Sequence, residues 1–393
     1  MNIKKIQKEI KNIYNSNRIP LHEPLISKED KVFINKCIDS TFVSTVGNFV
    51  DKFEEEIKKL TKSKYVIAVN SGTSALHAAL LSLNTKNNNE VLLPSATYVA
   101  TGNAVLYCNA IPHFVDISFK NLGIDFEKLR SYLNKNTIVR NNVCINRKTK
   151  RIIKSLIVVH AYGHSADMDL ALKLCRDFKL DLLEDSAECV GSYYKNKHLG
   201  TFGKAGILSF NGNKTITTGA GGAIITNSYT IYKKAKKLTI TAKIPHQWEQ
   251  KFEMLGFNYK MNNLNAALGC SQIKKLKNIL KKKRKLNKFY RIIFKNDKRI
   301  KVLVDQKNTK TNYWLNCILL NNNLNNVEYI KKFHKYNILC KNMWKPLHKL
   351  KYFKKFPKMD LKNTIEIYNR LIVLPSSANI LENKIDKVIN EFK

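Results

Sequence analysis

Residues 65–83 read YVIAVNSGTSALHAALLSL, an apolar run followed at once by a polar turn and a second apolar run. The first run, at 65–70, is short and contains three β-branched residues, which is typical of a buried strand. The second run begins after Ser71, Gly72 and Thr73, and Ser or Thr is favoured where a helix starts. The stretch therefore predicts a strand that leads directly into a helix.

The same alternation of strand and helix patterns continues to about residue 250. Further strand-like runs stand at 90–95, 111–117, 153–163, 180–187, 205–210 and 221–227. Near-continuous apolar strands between helices indicate a mainly parallel sheet covered on both faces. We predict an α/β fold in which helices sandwich this sheet, with a smaller α+β domain at the C-terminus.

The length of the chain, 393 residues, predicts more than one domain. Residues 1–30 have the pattern of a short helix and an extended arm. Residues 31–255 form the predicted large domain. A long basic helix, at about 262–292, opens the remaining part, and we assign 256–393 to this linking helix and the small C-terminal domain.

The net charge of +39 raises the alternative of a non-catalytic nucleic-acid-binding protein. The basic residues are spread over predicted surface helices and loops, and they are densest at 274–301. They lack the interleaved aromatic residues that are typical of a single-strand groove. A basic composition of the whole chain therefore explains the charge better than nucleic-acid binding does, and we expect no nucleic-acid partner.

The eight cysteines are scattered along the chain, without the spacing of a metal or redox pair. We predict buried, reduced cysteines and no metal site. No apolar stretch approaches the roughly 20 residues of a membrane helix. The N-terminal residues are charged and amphipathic, unlike a signal peptide, so we expect a cytoplasmic protein without a membrane partner.

Four polar or aromatic features follow predicted strands, and each has an ordinary explanation. Ser71 to Thr73 can bind an anion or simply cap a helix, and Asp185 can bind a cation or cap a turn. Lys214, in SFNGNKTITTGAGGAIITN, can be a nucleophile or a solvated loop residue. Tyr98 can stack on a flat ring or belong to the core.

Taken together, these features supply what pyridoxal 5′-phosphate requires of its site. They offer a phosphate cup, a carboxylate for the ring nitrogen, an aromatic ring for stacking and a lysine for covalent attachment. Ligands bind beyond the carboxyl ends of parallel strands, so we expect the four features to meet there. Pyridoxal phosphate is the predicted cofactor.

Longer stretches carry a resemblance to the DegT/DnrJ/EryC1/StrS family of nucleotide-sugar aminotransferases. They read NSGTSALHAALLSL, PSATYVATGNAVLYCNAIPHFVDI, VVHAYGHSADMD, LLEDSAECVGSYYKNKHLGTFG, SFNGNKTITTGAGGAIITN and LGFNYKMNNLNAALG. The resemblance implies a fold-type I pyridoxal-phosphate-dependent transferase. It also implies a homodimer with shared active sites, in which Asn258 reaches the phosphate site of the partner.

The resemblance also implies the role of each site residue. Lys214 is the catalytic lysine that bonds to the cofactor, and Asp185 pairs with the ring nitrogen. The other cofactor-binding residues that it implies are Ser71, Gly72, Thr73, Tyr98, Glu188 and Ser209. Some relatives dehydrate sugars and carry histidine in place of this lysine, so Lys214 favours transamination.

Several stretches are similar to the branch that aminates UDP-linked 4-keto-6-deoxy-2-acetamido sugars for legionaminic acid or bacillosamine. They read IPLHEPLIS, CIDSTFVSTVGNFVDKFE, INRKTKRIIKSLIVVH, SFNGNK and MWKPLHKL. This similarity implies L-glutamate as the amino donor and a nucleotide-sugar acceptor. The substrate-binding residues that it implies are His22, Ser44, Thr45, Trp344 and His348.

Two features leave the identity of the sugar-nucleotide substrate open. Lys341 and Lys260 stand where the family usually has arginine, and lysine lacks the forked hydrogen bonds of a guanidinium. His22 and His348 can also be ordinary surface or core histidines. The alternative substrate is a GDP-linked 4-keto-6-deoxymannose, as in perosamine synthesis.

Overall fold

The structure is a computed structural model that describes residues 3–321 and 324–391. Its α-helices are α1 (Ile3–Tyr14), α2 (Lys28–Asp39), α3 (Asn48–Thr61), α4 (Gly72–Ser82), α5 (Val99–Tyr107), α6 (Phe126–Asn136), α7 (Met168–Asp177), α8 (Tyr229–Thr239), α9 (Asn263–Ile293), α10 (Asn326–His334), α11 (Lys362–Arg370) and α12 (Glu382–Glu391). Short 3₁₀ turns lie at Ala161–Gly163, Leu347–Lys349 and Lys351–Phe353.

The strands in these ranges are β1 (Tyr65–Val69), β2 (Glu90–Pro94), β3 (Ile111–Val115), β4 (Thr137–Arg140), β5 (Val143–Asn146), β6 (Ile152–Val159), β7 (Asp181–Asp185), β8 (Tyr193–Tyr194), β9 (Lys197–His198), β10 (Ala205–Ser209), β11 (Gly222–Thr226), β12 (Lys243–Ile244), β13 (Lys251–Phe252), β14 (Ile300–Val302), β15 (Thr309–Lys310), β16 (Asn316–Leu320), β17 (Lys341–Asn342) and β18 (Leu371–Leu374). Each strand-like run of the sequence overlaps one of these strands. The hairpin of β4 and β5 was not predicted.

The central sheet has the strand order β1-β11-β10-β7-β6-β2-β3, with β5 paired to β6 and β4 to β5. The pairs from β10 through β7, β6 and β2 to β3 are all parallel. Strand β11 runs antiparallel to both of its neighbours, β1 and β10. The predicted α/β fold with a mainly parallel sheet is therefore confirmed.

The central strands are buried along their whole length because helices cover both faces of the sheet. Strands β2, β7, β10 and β11 are buried at every residue. Helix α4 is buried almost all around, since it contacts the sheet as well as α5 and α8. Two-sided burial removes the polar-apolar alternation that a half-exposed strand would show.

A second, antiparallel sheet has the order β14-β16-β18-β17. Helix α9 has 31 residues and connects the two halves of the chain. The N-terminal helix α1 packs against this second sheet, where Ile10 and Ile13 join one hydrophobic cluster with Phe289 of α9. The domain boundaries at residues 30 and 255 stay a prediction.

All eight cysteines are buried and free, as predicted. Free cysteines are usual in a reducing compartment. Of the helices that the structure describes, none combines the length and the apolar character needed to cross a membrane.

Candidate active site

A cavity of about 430 Å³ lies at the carboxyl ends of the parallel strands. Loops that follow the central strands, including Tyr162, line it together with Leu21, Trp314, Trp344 and Val373 from other segments. Its volume is in the usual range for a small-molecule site. The cavity brings together most of the predicted cofactor-binding residues, namely Ser71, Gly72, Thr73, Tyr98, Asp185, Glu188, Ser209 and Lys214.

The N-terminus of α4 forms one end of the cavity. The Ser71 hydroxyl caps this helix and accepts a hydrogen bond of 3.0 Å from the N–H of Ser74. The next N–H groups, of Gly72 and Thr73, have no partner inside the helix. A side chain at position 72 would lie 3.1 Å from Cβ of Ser209, so glycine lets these two segments approach. Free N–H groups and a positive helix end suit a phosphate.

Asp185 ends strand β7, and its side chain is buried. The Thr101 hydroxyl donates to Oδ2 at 2.7 Å, and the N–H of Ala187 donates to Oδ1 at 3.2 Å. Burial raises the pKa of Asp185, and these hydrogen bonds oppose the rise. A buried carboxylate is stabilised by a cationic N–H donor, which a protonated pyridine ring provides.

Lys214 follows β10 in a turn closed by a hydrogen bond of 2.9 Å from its N–H to the Asn211 carbonyl. Its side chain is only 13% exposed. The Nζ atom lies 3.3 Å from Oε1 of Glu188 and 3.9 Å from the centre of the Trp314 ring. A lysine held in this way inside a polar cavity can act as a nucleophile and as a proton carrier.

Glu188 is a buried carboxyl group beside Lys214. Its Oε2 accepts a hydrogen bond of 2.7 Å from the N–H of Tyr162. Burial raises the pKa of Glu188 to about 7, against the lowering effects of Lys214 and of the Tyr162 N–H. The group can therefore hold or release a proton near neutral pH.

Aromatic residues that the sequence reasoning missed complete the site. The Trp314 indole donates to the Asn213 carbonyl at 2.6 Å. Tyr162 stacks on Trp344 with ring centres 4.3 Å apart, and its φ of 57° is rare for a residue other than glycine. Trp314 belongs to the stretch TNYWLNCILL, far from the other site residues along the chain. No motif in its neighbouring residues indicated that it belongs to the site.

Among the predicted substrate-binding residues, Trp344 lines the cavity, whereas the two histidines do not. The imidazole of His22 lies 2.7 Å from the Lys283 amine. Nδ1 of His348 lies 2.7 Å from the Ser95 hydroxyl, and burial together with nearby lysines lowers the pKa of His348 to about 4.

Ser44, Thr45 and Asn258 also lie outside the cavity of the single chain. The Ser44 carbonyl accepts a hydrogen bond of 2.5 Å from the N–H of Asn263, at the start of α9. Asn258 is exposed. Its backbone carbonyl accepts a hydrogen bond of 3.2 Å from the side-chain amide of Asn70. These residues therefore share one surface region near the end of β1.

The residues of the cavity fit pyridoxal phosphate. The helix end suits its phosphate, the buried Asp185 suits its ring nitrogen, and the Lys214 amine is free to bond to its aldehyde carbon. All three groups line the same cavity. The roles of the individual residues stay predictions.

Comparison with known proteins links this chain to sugar aminotransferases. The model of the DegT/DnrJ/EryC1/StrS aminotransferase family matches residues 24–393. The GDP-perosamine synthase of Vibrio cholerae is 34% identical over 304 residues, which are 77% of this chain and 77% of that protein. The UDP-4-amino-4,6-dideoxy-N-acetyl-beta-L-altrosamine transaminase of Helicobacter pylori is 29% identical over 365 residues. The match covers 91% of this chain and 92% of that protein.

A solved structure gives the same result for the fold. Helicobacter pylori PseC, an aminotransferase involved in the biosynthesis of pseudoaminic acid, superposes with a TM-score of 0.84. The match has 27% sequence identity and covers 95% of this chain and 99% of PseC.

Proposed function

The chain belongs to the DegT/DnrJ/EryC1/StrS aminotransferase family and is a pyridoxal-phosphate-dependent sugar aminotransferase, and on that basis we propose its substrates. In the cytoplasm, it transfers an amino group from L-glutamate to carbon 4 of a UDP-linked 4-keto-6-deoxy-2-acetamido sugar, for a surface glycan. The observation that carries the proposal is the convergence of the Lys214 amine, the Asp185 carboxylate and the N-terminus of α4 on one cavity.

Separate parts of the cavity hold the cofactor in this proposal. The N–H groups at the start of α4 bind the phosphate, with the hydroxyls of Ser71, Thr73 and Ser209. Asp185 accepts a hydrogen bond from the ring nitrogen, and its negative charge keeps that nitrogen protonated. Tyr98 covers one face of the ring. When bound, pyridoxal phosphate would supply an aldehyde that can carry the amino group and a ring that can accept an electron pair.

Lys214 moves the proton during each half of the reaction. In each half of the reaction, its amine would take up the proton that is removed from one carbon and return it to another. Glu188 and the Trp314 ring contact this amine from different directions and hold it in the cavity. Tyr162 and Trp344, which stack on each other, line the same cavity.

The UDP-linked acceptor is supported by where the branch-like stretches lie in the fold. Leu21, from IPLHEPLIS, and Trp344, from MWKPLHKL, both line the cavity beside the cofactor-binding groups. Lys341 lines it as well, so the departure from the family arginine falls where a nucleotide sugar would bind.

A GDP-linked 4-keto-6-deoxymannose is the second candidate acceptor. The observation in its favour is the 34% identity with the GDP-perosamine synthase of Vibrio cholerae, against 29% for the Helicobacter pylori transaminase. The two candidates differ in the base and in the group at carbon 2 of the sugar. Polar groups in a site discriminate strongly between such substrates.

The two acceptors can be compared directly with the purified enzyme, pyridoxal phosphate and L-glutamate. We expect kcat/KM for the UDP-linked 4-keto sugar to exceed that for the GDP-linked sugar by about 100-fold, because the wrong base leaves polar groups unpaired. Formation of 2-oxoglutarate and the mass of the amino sugar are the measurements. The reverse preference would replace the UDP-linked acceptor by the GDP-linked one.

We also propose that the enzyme is a homodimer whose active sites are shared. Large apolar side chains are exposed in the loop between α2 and α3, including Phe42 at 56% and Val46 at 64%. The loop that carries them is tied to Asn263, close to Asn258 in the chain. Trp248 and Leu255, at 78% and 79% exposed, lie in the segment just before. Such a patch marks a protein interface.

Mixing two inactive variants tests the shared site. Lys214→Ala removes the catalytic amine, and Asn258→Ala removes the side chain proposed to reach the partner. In a mixed dimer one site keeps both residues, so an equimolar mixture should recover about a quarter of wild-type activity. Sedimentation measures the dimer and 2-oxoglutarate formation measures the activity. A monomer, or a mixture without recovery, would contradict the shared site.

A further inference from the structure

Lys283, on α9, is a completely buried lysine outside the cavity. Its amine lies 2.7 Å from Nε2 of His22, 3.1 Å from the Trp314 carbonyl and 2.7 Å from the Ser376 carbonyl. Within the part of the chain that the structure describes, these partners are all uncharged. The amine donates to the carbonyls of Trp314 and Ser376, and Nε2 of His22 is its third hydrogen-bonding partner.

Burying an amine without a carboxylate is unfavourable, so the three contacts need an explanation. Burial lowers the pKa of Lys283 well below its usual range. A methionine or leucine would fill a comparable volume without this cost. The two carbonyl acceptors and the imidazole around this amine therefore indicate a specific need for a hydrogen-bonding group at this point.

The three partners belong to separate segments that line the cavity. His22 follows Leu21, and Ser376 follows β18, which contains Val373. Leu21, Trp314 and Val373 all line the cavity. Lys283 thus joins the N-terminal arm, the segment of Trp314 and the end of β18 from outside the cavity.

Trp314 connects this junction to the catalytic amine. Lys283 holds the Trp314 carbonyl, while the indole N–H donates to the Asn213 carbonyl at 2.6 Å. Asn213 directly precedes Lys214 in the chain, and the ring face lies 3.9 Å from the Lys214 amine. The tryptophan is therefore fixed both at its backbone and at its ring.

We propose that Lys283 is a positioning residue for aminotransfer: together with His22, it fixes Trp314 against the amine of Lys214. The inference rests on the proposed function and adds a residue to its machinery. It also gives His22 a different role from sugar binding, because its Nε2 faces Lys283 and the residue does not line the cavity. Misplacing a catalytic group by about 1 Å can cost about 100-fold in rate.

The test combines a structural signal with a kinetic one, in Lys283→Met and in Lys281→Met as the matched control. Lys281 lies on the same helix and is exposed. Protein labelled with fluorotryptophan and free of cofactor has one ¹⁹F resonance for each of its three tryptophans. Trp→Phe variants assign these resonances. The single-turnover rate with L-glutamate is then measured on the protein loaded with pyridoxal phosphate.

In Lys283→Met we expect the Trp314 resonance to shift or broaden, while that of Trp248 stays in place. The single-turnover rate should fall at least about tenfold. Lys281→Met should match the wild type in both measurements. A folded Lys283→Met protein with an unchanged Trp314 resonance and rate would overturn the proposal.

His22→Ala keeps the proposal testable if Lys283→Met does not fold, since it removes only one partner. We expect it to shift the Trp314 resonance and lower kcat, with KM for the nucleotide sugar within about twofold of wild type. A raised KM with an unmoved resonance would assign His22 to the sugar instead. Neither the ¹⁹F signal nor the glutamate reaction depends on which sugar is the acceptor, so an error there leaves this test intact.

Discussion

Lys214→Ala is expected to lower kcat for aminotransfer at least about 10⁴-fold, because it removes both the covalent attachment point and the proton carrier. Lys214 lies in the cavity against Glu188 and Trp314. Among the described residues, no other lysine forms an ion pair with Glu188. Formation of 2-oxoglutarate from L-glutamate is the first measurement.

The position of the covalent bond is the second measurement. After borohydride reduction, mass spectrometry should find the cofactor on the peptide that contains Lys214 in the wild type only. Lys214→Arg keeps a positive charge beside Glu188 but stays protonated, so it should be as inactive as the alanine variant. Lys204→Ala, at an exposed lysine paired with Asp181, should keep wild-type activity. Activity in Lys214→Arg would contradict the assigned role.

Asp185→Asn is expected to lower kcat about 10²- to 10³-fold, because the ring nitrogen loses the charge that keeps it protonated. Asparagine has nearly the same shape, and its oxygen can still accept from the N–H of Ala187 or from Thr101. The variant should therefore fold and bind pyridoxal phosphate. The rate with L-glutamate and the amount of bound cofactor measure the two effects separately.

Two further variants calibrate this result. Asp181 starts the same strand, β7, and forms an ion pair with Lys154 at the opposite end from the cavity. Asp181→Asn should leave the rate unchanged. Thr101→Val removes one hydrogen bond to Asp185 and should cost about tenfold or less. If Asp185→Asn stays within a few-fold of the wild type, Asp185 does not hold the ring nitrogen.

The local patterns of the sequence were sufficient for the main elements of the fold. The run at 65–70 contains β1, and the basic helix predicted at about 262–292 is α9, Asn263–Ile293. Short apolar runs between helices have few alternatives to buried parallel strands. The convergence of Asp185, Lys214 and the start of α4 followed from the same rule, because ligands bind where parallel strands end.

Strand direction and order depended on the tertiary structure. Strand β11 is as apolar as its neighbours, yet it runs antiparallel between β1 and β10. A buried strand has the same apolar composition in either direction, so its residues do not report which way it runs. The hairpin of β4 and β5 was missed because each of its strands has only four residues and no long apolar run.

The candidate site divides in the same way. Residues that act from the end of a strand, such as Asp185 and Lys214, could be recognised from their neighbours in the chain. Trp314 and Lys283 could not, because their surroundings come from segments distant in sequence: the arm at His22 and the turn at Asn213. The sequence by itself determined the cofactor chemistry, because that chemistry needs particular residue types at strand ends. Only the tertiary structure decided which side chains contact the Lys214 amine, because long-range packing leaves no periodic signal in the chain.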